Sequence, residues 1–382
     1  MTLIPHAWNK GPDFIQYVEP TVPKYSGLSW YDLSTDELKV WSDPLSAWIV
    51  LPEYPLEYYP DPYNRGFIVG GFAQHYQIVT QDIIHCLFNA DSTPARVLSY
   101  LKDGGRAGTP SAFASSRYGY VAGGILSPTL EANPNSGHRI NFSMYYMAVL
   151  LNELYYTPLG PRLSNGVSSS SAGYTMGYVN SSNVNVTSIA KFMFADETSI
   201  DNVGNVTDVT TPKAFSSCSS SQRGYVSYYA TDDVNSGLPF TTFIAFASDT
   251  TGVGPNLSGG VSQGVVSTMS TLKGYVMSGG STTFGDNTTT MYQINFADNT
   301  ANDAAITLTV RVKDAAAFRS VAKGYIVGGI AVNPEIPPSL STLHILNFSN
   351  VSEGVHAHNL LPSEPTQSGA LDTTFNNALQ GV

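Results

Sequence analysis

The chain has 382 residues, more than the roughly 250–300 that one hydrophobic core serves, so it must divide into domains or close as a repeat. Charged residues are only 12%, against a usual share of about 25%. Ser, Thr, Asn, Gly and Tyr take their place, which suits strands and tight turns and argues against exposed helices. A net charge of −11 with no Lys/Arg cluster excludes nucleic-acid binding through a basic face, and no apolar run approaches the ~20 residues that span a bilayer.

The opening "MTLIPHAWNKGPDF" has no charged stretch followed by an apolar one, so no signal peptide is expected and assembly in a host cytoplasm is the reading. Residues 1–62 stand apart from the rest of the chain. They contain "SGLSWYDLSTDELKVWSDPLSAWIVLPEY" (Ser26–Tyr54), with three of the four Trp residues. "LSWYDL" and "ELKVW" alternate at period two around "STDE", which predicts a hairpin, and "AWIVLP" (Ala47–Pro52) adds a third strand. Such a sheet is marginal alone and needs something to pack on. Trp30, Tyr31, Asp32, Thr35, Glu37, Leu38, Lys39, Val40, Trp41 and Trp48 give the stretch a resemblance to a short module of tailed-bacteriophage fibre and tail proteins. The resemblance implies a virion protein with this module nearer the particle; a small β-appendage capping the larger domain is the alternative.

From residue 63 the chain repeats. A Gly followed by an aromatic residue opens an apolar strand at Gly66, Gly119, Gly173, Gly224, Gly274 and Gly324, with spacings of 53, 54, 51, 50 and 50 residues. Phe88, Phe142, Phe194, Phe246, Phe296 and Phe348 come in phase, 21 to 24 residues after each Gly. Each unit reads as four strands. First comes a short one of small residues ("SAFASS", Ser111–Ser116; "VVSTMS", Val265–Ser270). The Gly-aromatic strand is second, and the third ends at the marker Phe ("MYQINF", Met291–Phe296). A less regular fourth completes the unit ("AAITLTVRV", Ala304–Val312). Units of about fifty residues with four strands predict an all-β fold, a β-propeller of six blades starting near residues 63, 111, 165, 214, 264 and 315.

The order of an apolar strand ending in Gly-Gly, then a later aromatic, resembles the kelch repeat. It departs from kelch in carrying Phe alone where Tyr and Trp are expected, and repeats 3 and 4 lose the glycine pair ("GYTMGY", Gly173–Tyr178; "GYVSYY", Gly224–Tyr229). The first repeat lacks an inner strand, because "EYPLEYYPDPYN" (Glu53–Asn64) is rich in prolines that cannot donate to a ladder. Residues 368–382 are expected to supply it, through Ala370–Phe375. Cys86 and Cys218 then fall in the first and fourth repeats, too far apart for a disulfide.

No catalytic constellation emerges. "GVSQG" (Gly260–Gly264) mimics a nucleophile elbow without its strand-to-helix setting, and "GGRAG" (Gly104–Gly108) has no helix after it. His356 and His358 are read as a solvated loop pair, with metal binding the lesser alternative. Asp196–Glu197 and Asp232–Asp233 are adjacent, as paired glycosidase carboxylates would not be, and read as turns. No cofactor or metal is expected. The long connections after each second strand differ while the strands keep their pattern, and loops on a rigid scaffold are where recognition sits. The candidate ligand residues there are Asn133, Asn135, Asn183, Asn185, Asp232, Asp233, Asp286, Asn287 and Asn333.

These features lead to the expectation of a bacteriophage virion structural protein, a tail fibre or appendage adhesin. A capsid decoration or head-fibre protein is the runner-up, and a glycan-processing propeller enzyme or a cellular kelch-type interaction module stand further off. Expected partners are other virion proteins (tail, neck or capsid), a host-surface glycan or protein receptor, and further copies of the chain in a symmetric assembly; nucleic acid and membrane insertion are not expected.

Overall fold

A computed structural model describes residues 14–16, 18–21, 23–24, 28–32, 37–50, 65–69, 72–73, 78–79, 82–87, 99–100, 111–122, 137–141, 148–151, 165–179, 185–206, 212–230, 239–257, 266–277, 290–307, 312–313, 315–327, 330–331, 343–356 and 369–372. They contain strands and turns and no helix, and the chain divides into two compact units, Met1–Pro62 and Tyr63–Val382.

In the first unit, β2 (Ser29–Asp32), β3 (Glu37–Ser42) and β4 (Ala47–Val50) form the antiparallel sheet expected from the period-two alternation; β1 (Phe14–Gln16) adds a parallel strand beside β2, with Phe14 opposite Trp30. Trp41 faces Trp48 across the β3–β4 hairpin, which turns at Ser46 with φ 47°. The three indoles pack edge to face, Trp48 lying 5.4 Å from Trp30 and 5.5 Å from Trp41. Lys39 lies 4.9 Å above the Trp30 ring and pairs with the buried Asp32 at 2.6 Å. Lys24 sits over Trp41 and pairs with Glu19, which accepts the Trp48 indole N–H at 2.9 Å. The sheet is therefore held by aromatic stacking with cations laid on the rings, as a unit this small requires.

The second unit has a β-propeller arrangement. β5 (Arg65–Val69), the small hairpin β6 (Phe72–Ala73) and β7 (Ile78–Val79), β8 (Asp82–Leu87) and β9 (Ser99–Tyr100) come from the first repeat. Then β10 (Ser111–Ala114), β11 (Tyr118–Ala122), β12 (Gly137–Asn141) and β13 (Ala148–Leu151) form one sheet, each strand paired with the next. So do β14 (Asn165–Ser168), β15 (Ala172–Val179), β16 (Asn185–Met193) and β17 (Ser199–Asn205). β18 (Pro212–Ser219), β19 (Arg223–Ala230), β20 (Pro239–Ala245) and β21 (Thr250–Val253) make the next sheet, and β22 (Val266–Met269), β23 (Lys273–Met277), β24 (Thr290–Asn295) and β25 (Thr300–Thr307) the one after. β26 (Val312–Lys313) and β29 (Ile330–Ala331) pair with each other beside the sheet of β27 (Ala316–Arg319), β28 (Lys323–Val327), β30 (Leu343–Asn347) and β31 (Ser352–His356).

Five blades are thus complete within their own repeats, where the repeat count alone suggests six. The first repeat borrows its inner strand: β32 (Gly369–Asp372) pairs antiparallel with β5, giving a composite sheet β32-β5-β8-β9, and touches both β10 and β27. The borrowed strand starts one residue earlier than the expected Ala370 and ends at Asp372; residues 373–375 lie outside the described residues. Two other boundaries differ from expectation. The described marker residues Phe194, Phe246, Phe296 and Phe348 lie just past their strands, in the turn, and β25 begins at Thr300, directly after that turn.

The repeated Gly has a steric cause. Five inner strands each present one side chain to the glycine of the next sheet: Phe113 to Gly173, Val167 to Gly224, Cys218 to Gly274, Thr268 to Gly324, and Phe318 to Gly66 of the composite sheet. A Cβ on these glycines would come within 2.1–2.5 Å of the intruding side chain, so nothing larger than Gly fits. The Gly-aromatic Tyr then packs against the marker Phe of the next repeat. Tyr120–Phe194, Tyr174–Phe246, Tyr225–Phe296 and Tyr275–Phe348 are all stacked, with centroids 5.2–5.5 Å apart. The two sequence markers are the two halves of one inter-blade contact. Phe88 and Phe142 lie outside the described residues.

The inner hairpins share a further device. Ser115, Ser169, Ser220, Ser270 and Ser320 each accept, through Oγ, the backbone N–H three residues on at 2.9–3.0 Å. The backbone N–H of each described marker Phe is tied to the hairpin tip beside it, as in Phe246 to the Gln222 carbonyl at 2.9 Å. The hydrophobic clusters lie between successive sheets; one joins Ile68 of β5 to Phe318, Tyr325 and Ile345 of the last repeat.

Candidate functional site

Of the candidate ligand residues, Asn133, Asn135, Asn183, Asp232, Asp233, Asp286, Asn287 and Asn333 lie outside the described residues. Asn185 opens β16, its backbone opposite Val179. The strand ends that flank the long connections are described. Ala122 faces Gly137, Val179 faces Asn185, Tyr229 faces Pro239, Met277 faces Met291 and Val327 faces Leu343. Each connection therefore leaves and returns at the end of its sheet opposite the Ser-stabilised hairpin.

The best-defined polar constellation lies between blades, at the hairpin end. Across the β10–β13 and β14–β17 sheets, Glu197 Oε1 accepts the Tyr120 hydroxyl at 3.2 Å and the Arg139 guanidinium at 2.8 Å. One interface on, Asp249 accepts the Tyr174 hydroxyl at 2.8 Å through Oδ1 and the Lys191 ammonium at 2.7 Å through Oδ2. Both carboxylates sit in the turn between the third and fourth strands of their blade with positive φ, 56° at Glu197 and 54° at Asp249. At Asp249 a short polar side chain can compensate that backbone locally; at Glu197 the contacts of the carboxylate across the interface offset the strain. Burial, then the adjacent carboxylate, pushes the Tyr120 and Tyr174 hydroxyls above the ordinary phenol value. A phenol held protonated beside an ion-paired carboxylate is poorly placed to exchange protons near neutral pH. The arrangement is a latch between blades.

The latch fades along the chain. At the next interface the turn residue is Asn299 (φ 58°) and Phe243 stands opposite Tyr225, where Lys191 stands opposite Tyr174. The Tyr225 hydroxyl and Asn299 Oδ1 are buried without a hydrogen-bond partner among the described residues. The Arg223 guanidinium lies 4.8 Å over the Phe243 ring; burial raises the Tyr225 hydroxyl, and Arg223 opposes the rise. One interface further the turn residue is Val351, with φ 48°, and Gln293 stands opposite Tyr275. The signal was available in the sequence: three residues beyond the marker Phe stand Glu197, Asp249, Asn299 and Val351. Each repeat also carries a Lys or Arg at this end, either just before the Gly (Arg65, Arg223, Lys273, Lys323) or opposite the Tyr (Arg139, Lys191).

Magnitudes rank these contributions. The ion pairs are partly exposed, at 11% and 25% for Arg139–Glu197 and 13% and 30% for Lys191–Asp249. Each is worth about 1 kcal/mol or less, whereas burying one Tyr contributes roughly 1.5–3 kcal/mol and its stack about 0.5–1.5 more. Packing therefore holds the blades, with the ion pairs a smaller addition at two interfaces.

The Cys218 thiol is free, fully buried, and pushed by burial up to about 12, which makes it inert. Cys86 pairs by backbone with Gly66 in the composite sheet, whereas Cys218 lies in β18. Asp196 of the expected turn accepts the Thr198 N–H and hydroxyl, while its neighbour Glu197 makes the latch. His356 ends β31 and His358 lies outside the described residues; among the described residues no three His, Cys, Asp or Glu side chains group as a metal site. No known protein-family model matches the chain, and no characterised protein matches it significantly.

Proposed function

We propose that the chain is a structural protein of a bacteriophage particle, a tail fibre or appendage adhesin that displays a propeller for recognition of a host surface. In this reading the five contiguous blades and the composite sheet complete a six-bladed kelch-like ring. The cyclic succession of inner-strand contacts, β10 to β14, β18, β22, β27, β32 and back to β10, supports that count. The observation that carries the functional reading is the fibre-like stretch "WYD…ELKVW…AW", which folds as a unit of its own around Trp30, Trp41 and Trp48. An attachment module followed by a rigid display domain is the division of labour that an appendage needs. Recognition is assigned to the connections at the loop ends of the sheets, where Asn, Ser and Thr offer hydrogen bonds to a glycan or protein receptor.

The test is direct. Mass spectrometry of purified particles should find the chain in stoichiometric amounts, and electron cryo-microscopy should place it on the tail. The isolated chain should bind host cells without releasing sugar. Absence from the particle refutes the reading, and location on the head replaces the tail assignment with capsid decoration.

A further inference from the structure

The interface between the β18–β21 and β22–β25 sheets keeps the phenol and the cation of a latch without its carboxylate. Tyr225 stacks on Phe296 at 5.5 Å, as Tyr174 stacks on Phe246 at 5.2 Å. Three residues beyond each Phe the turn holds Asn299, with φ 58°, and Asp249, with φ 54°. The backbone thus sets an amide at the turn position where Glu197 and Asp249 put an acid at the two preceding interfaces.

The cation has changed its strand. Opposite the phenol stand Arg139 and Lys191 in the two latched blades, and Phe243 here. The residue before the repeat glycine is Tyr118 or Ala172 in those blades, and here it is Arg223. Its guanidinium lies 4.8 Å over the Phe243 ring. Burial raises the Tyr225 hydroxyl and Arg223 opposes that rise, so its charge is felt at the phenol. Among the described residues Arg223 has no carboxylate partner, whereas Arg139 and Lys191 each have one.

Polar atoms at this interface point to a ligand. Tyr225 is 0% exposed, and neither its hydroxyl nor the buried Asn299 Oδ1 has a hydrogen-bond partner among the described residues. Groups buried in that way call for a water or an ion. The two ends of an amide have nearly the same shape, so a half-turn of Asn299 presents Nδ2 in place of Oδ1. The phenol O–H, the guanidinium and the amide N–H are then all donors, and they carry one positive charge between them. That set suits a single negative ion better than a water. Arg223 and Asn299 are half-buried, which leaves them within reach of ions in solution.

We propose that Tyr225, Arg223 and Asn299 bind a small monovalent anion, a halide or a carboxylate, at the place equivalent to the Glu197 and Asp249 carboxylates. The site is independent of the virion assignment.

The test is thermal unfolding of the full chain at fixed ionic strength, with chloride or acetate replacing methanesulfonate, a larger and weakly coordinating anion. Chloride, acetate or both should raise the wild-type midpoint by about 2 °C or more. A response to one alone identifies the halide or the carboxylate. Asn299→Asp supplies the charge from the chain itself, so it should melt above wild type in methanesulfonate and lose the response. Arg223→Met should lose the response too. Equal wild-type midpoints in the three salts would overturn the site, as would a response that either variant retains. Should Arg223→Met not fold, Asn299→Asp decides alone, because it is isosteric and Asp249 already occupies that turn position at φ 54°.

Discussion

Replacing Gly274 by alanine should cost this protein more than almost any exposed change, and the structure says why. The new Cβ would lie 2.4 Å from Cys218 Sγ, where ordinary contact begins at 3.4 Å, so about 1 Å must be found. Cys218 is 1% exposed and packed with Tyr225, Leu257, Val276 and Tyr292, which leaves it nowhere to go. Overpacking of this kind costs about 1–3 kcal/mol. Cys218→Ala removes the offending sulfur and leaves its Cβ 3.3 Å from the new methyl, a tight but tolerable contact. Alone that change should cost roughly 1–1.5 kcal/mol for the lost buried atom and its void. Combined, the methyl and the void offset each other, so the double variant should recover about 1–2 kcal/mol relative to the sum of the singles. Urea unfolding followed by fluorescence measures all four corners, with the slope unchanged if only stability moves. The knob-and-glycine account fails if Gly274→Ala unfolds within about 0.5 kcal/mol of wild type, or if the two changes add.

The blade interfaces make three more expectations concrete. Asp249→Asn keeps an acceptor for Tyr174 and a residue that tolerates φ 54°, so it removes only the charge and should cost about 1 kcal/mol; Asp249→Ala, which loses the acceptor and strains the turn, should cost about 2–3 kcal/mol in the same urea assay. Val351 is β-branched at φ 48°, and Val351→Asn should raise stability by about 0.5–1 kcal/mol, since relief of strain exceeds the loss of a half-buried methyl pair. The hydroxyls of Tyr120, Tyr174, Tyr225 and Tyr275 are all raised, chiefly by burial. Their folded-state values exceed the unfolded value near 10, so the stability linked to them is whole below about pH 10 and is lost as pH climbs towards the folded values. Absorbance at 295 nm should show these phenols ionising only with unfolding; free titration in the native protein would contradict their burial.

How far the sequence revealed this depends on which residue carried the signal. The repeat glycines and the Phe markers were legible because one steric demand recurs, at Gly66, Gly173, Gly224, Gly274 and Gly324, and admits one answer. The residues that fill the glycine gaps were not, since Phe113, Val167, Cys218, Thr268 and Phe318 share only an ability to fit and come from the preceding repeat. The loss of the glycine pair in repeats 3 and 4 was visible, but its effect was not. β15 and β19 run for eight residues, where β11, β23 and β28 stop at five. The paired glycines end the strand; without them Tyr178 and Tyr228 continue it, β15 crossing a bulge at Gly177 with φ 65°. The latch stayed hidden because Glu197 lies 77 residues along the chain from Tyr120, and Asp249 lies 75 from Tyr174. Only the packing of neighbouring sheets removes that separation.

The composite sheet also has a consequence in time. β5 pairs with β32, so Val69 waits for Gly369, and 300 residues must be synthesised between them. At about 5–20 residues per second the inner edge of β5 stays open for roughly 15–60 s on every nascent chain. An unpaired edge of that age is a template for any passing strand, including that of a neighbouring copy on the same messenger. Maturation of this protein is therefore a race between its own last strand and a stranger's.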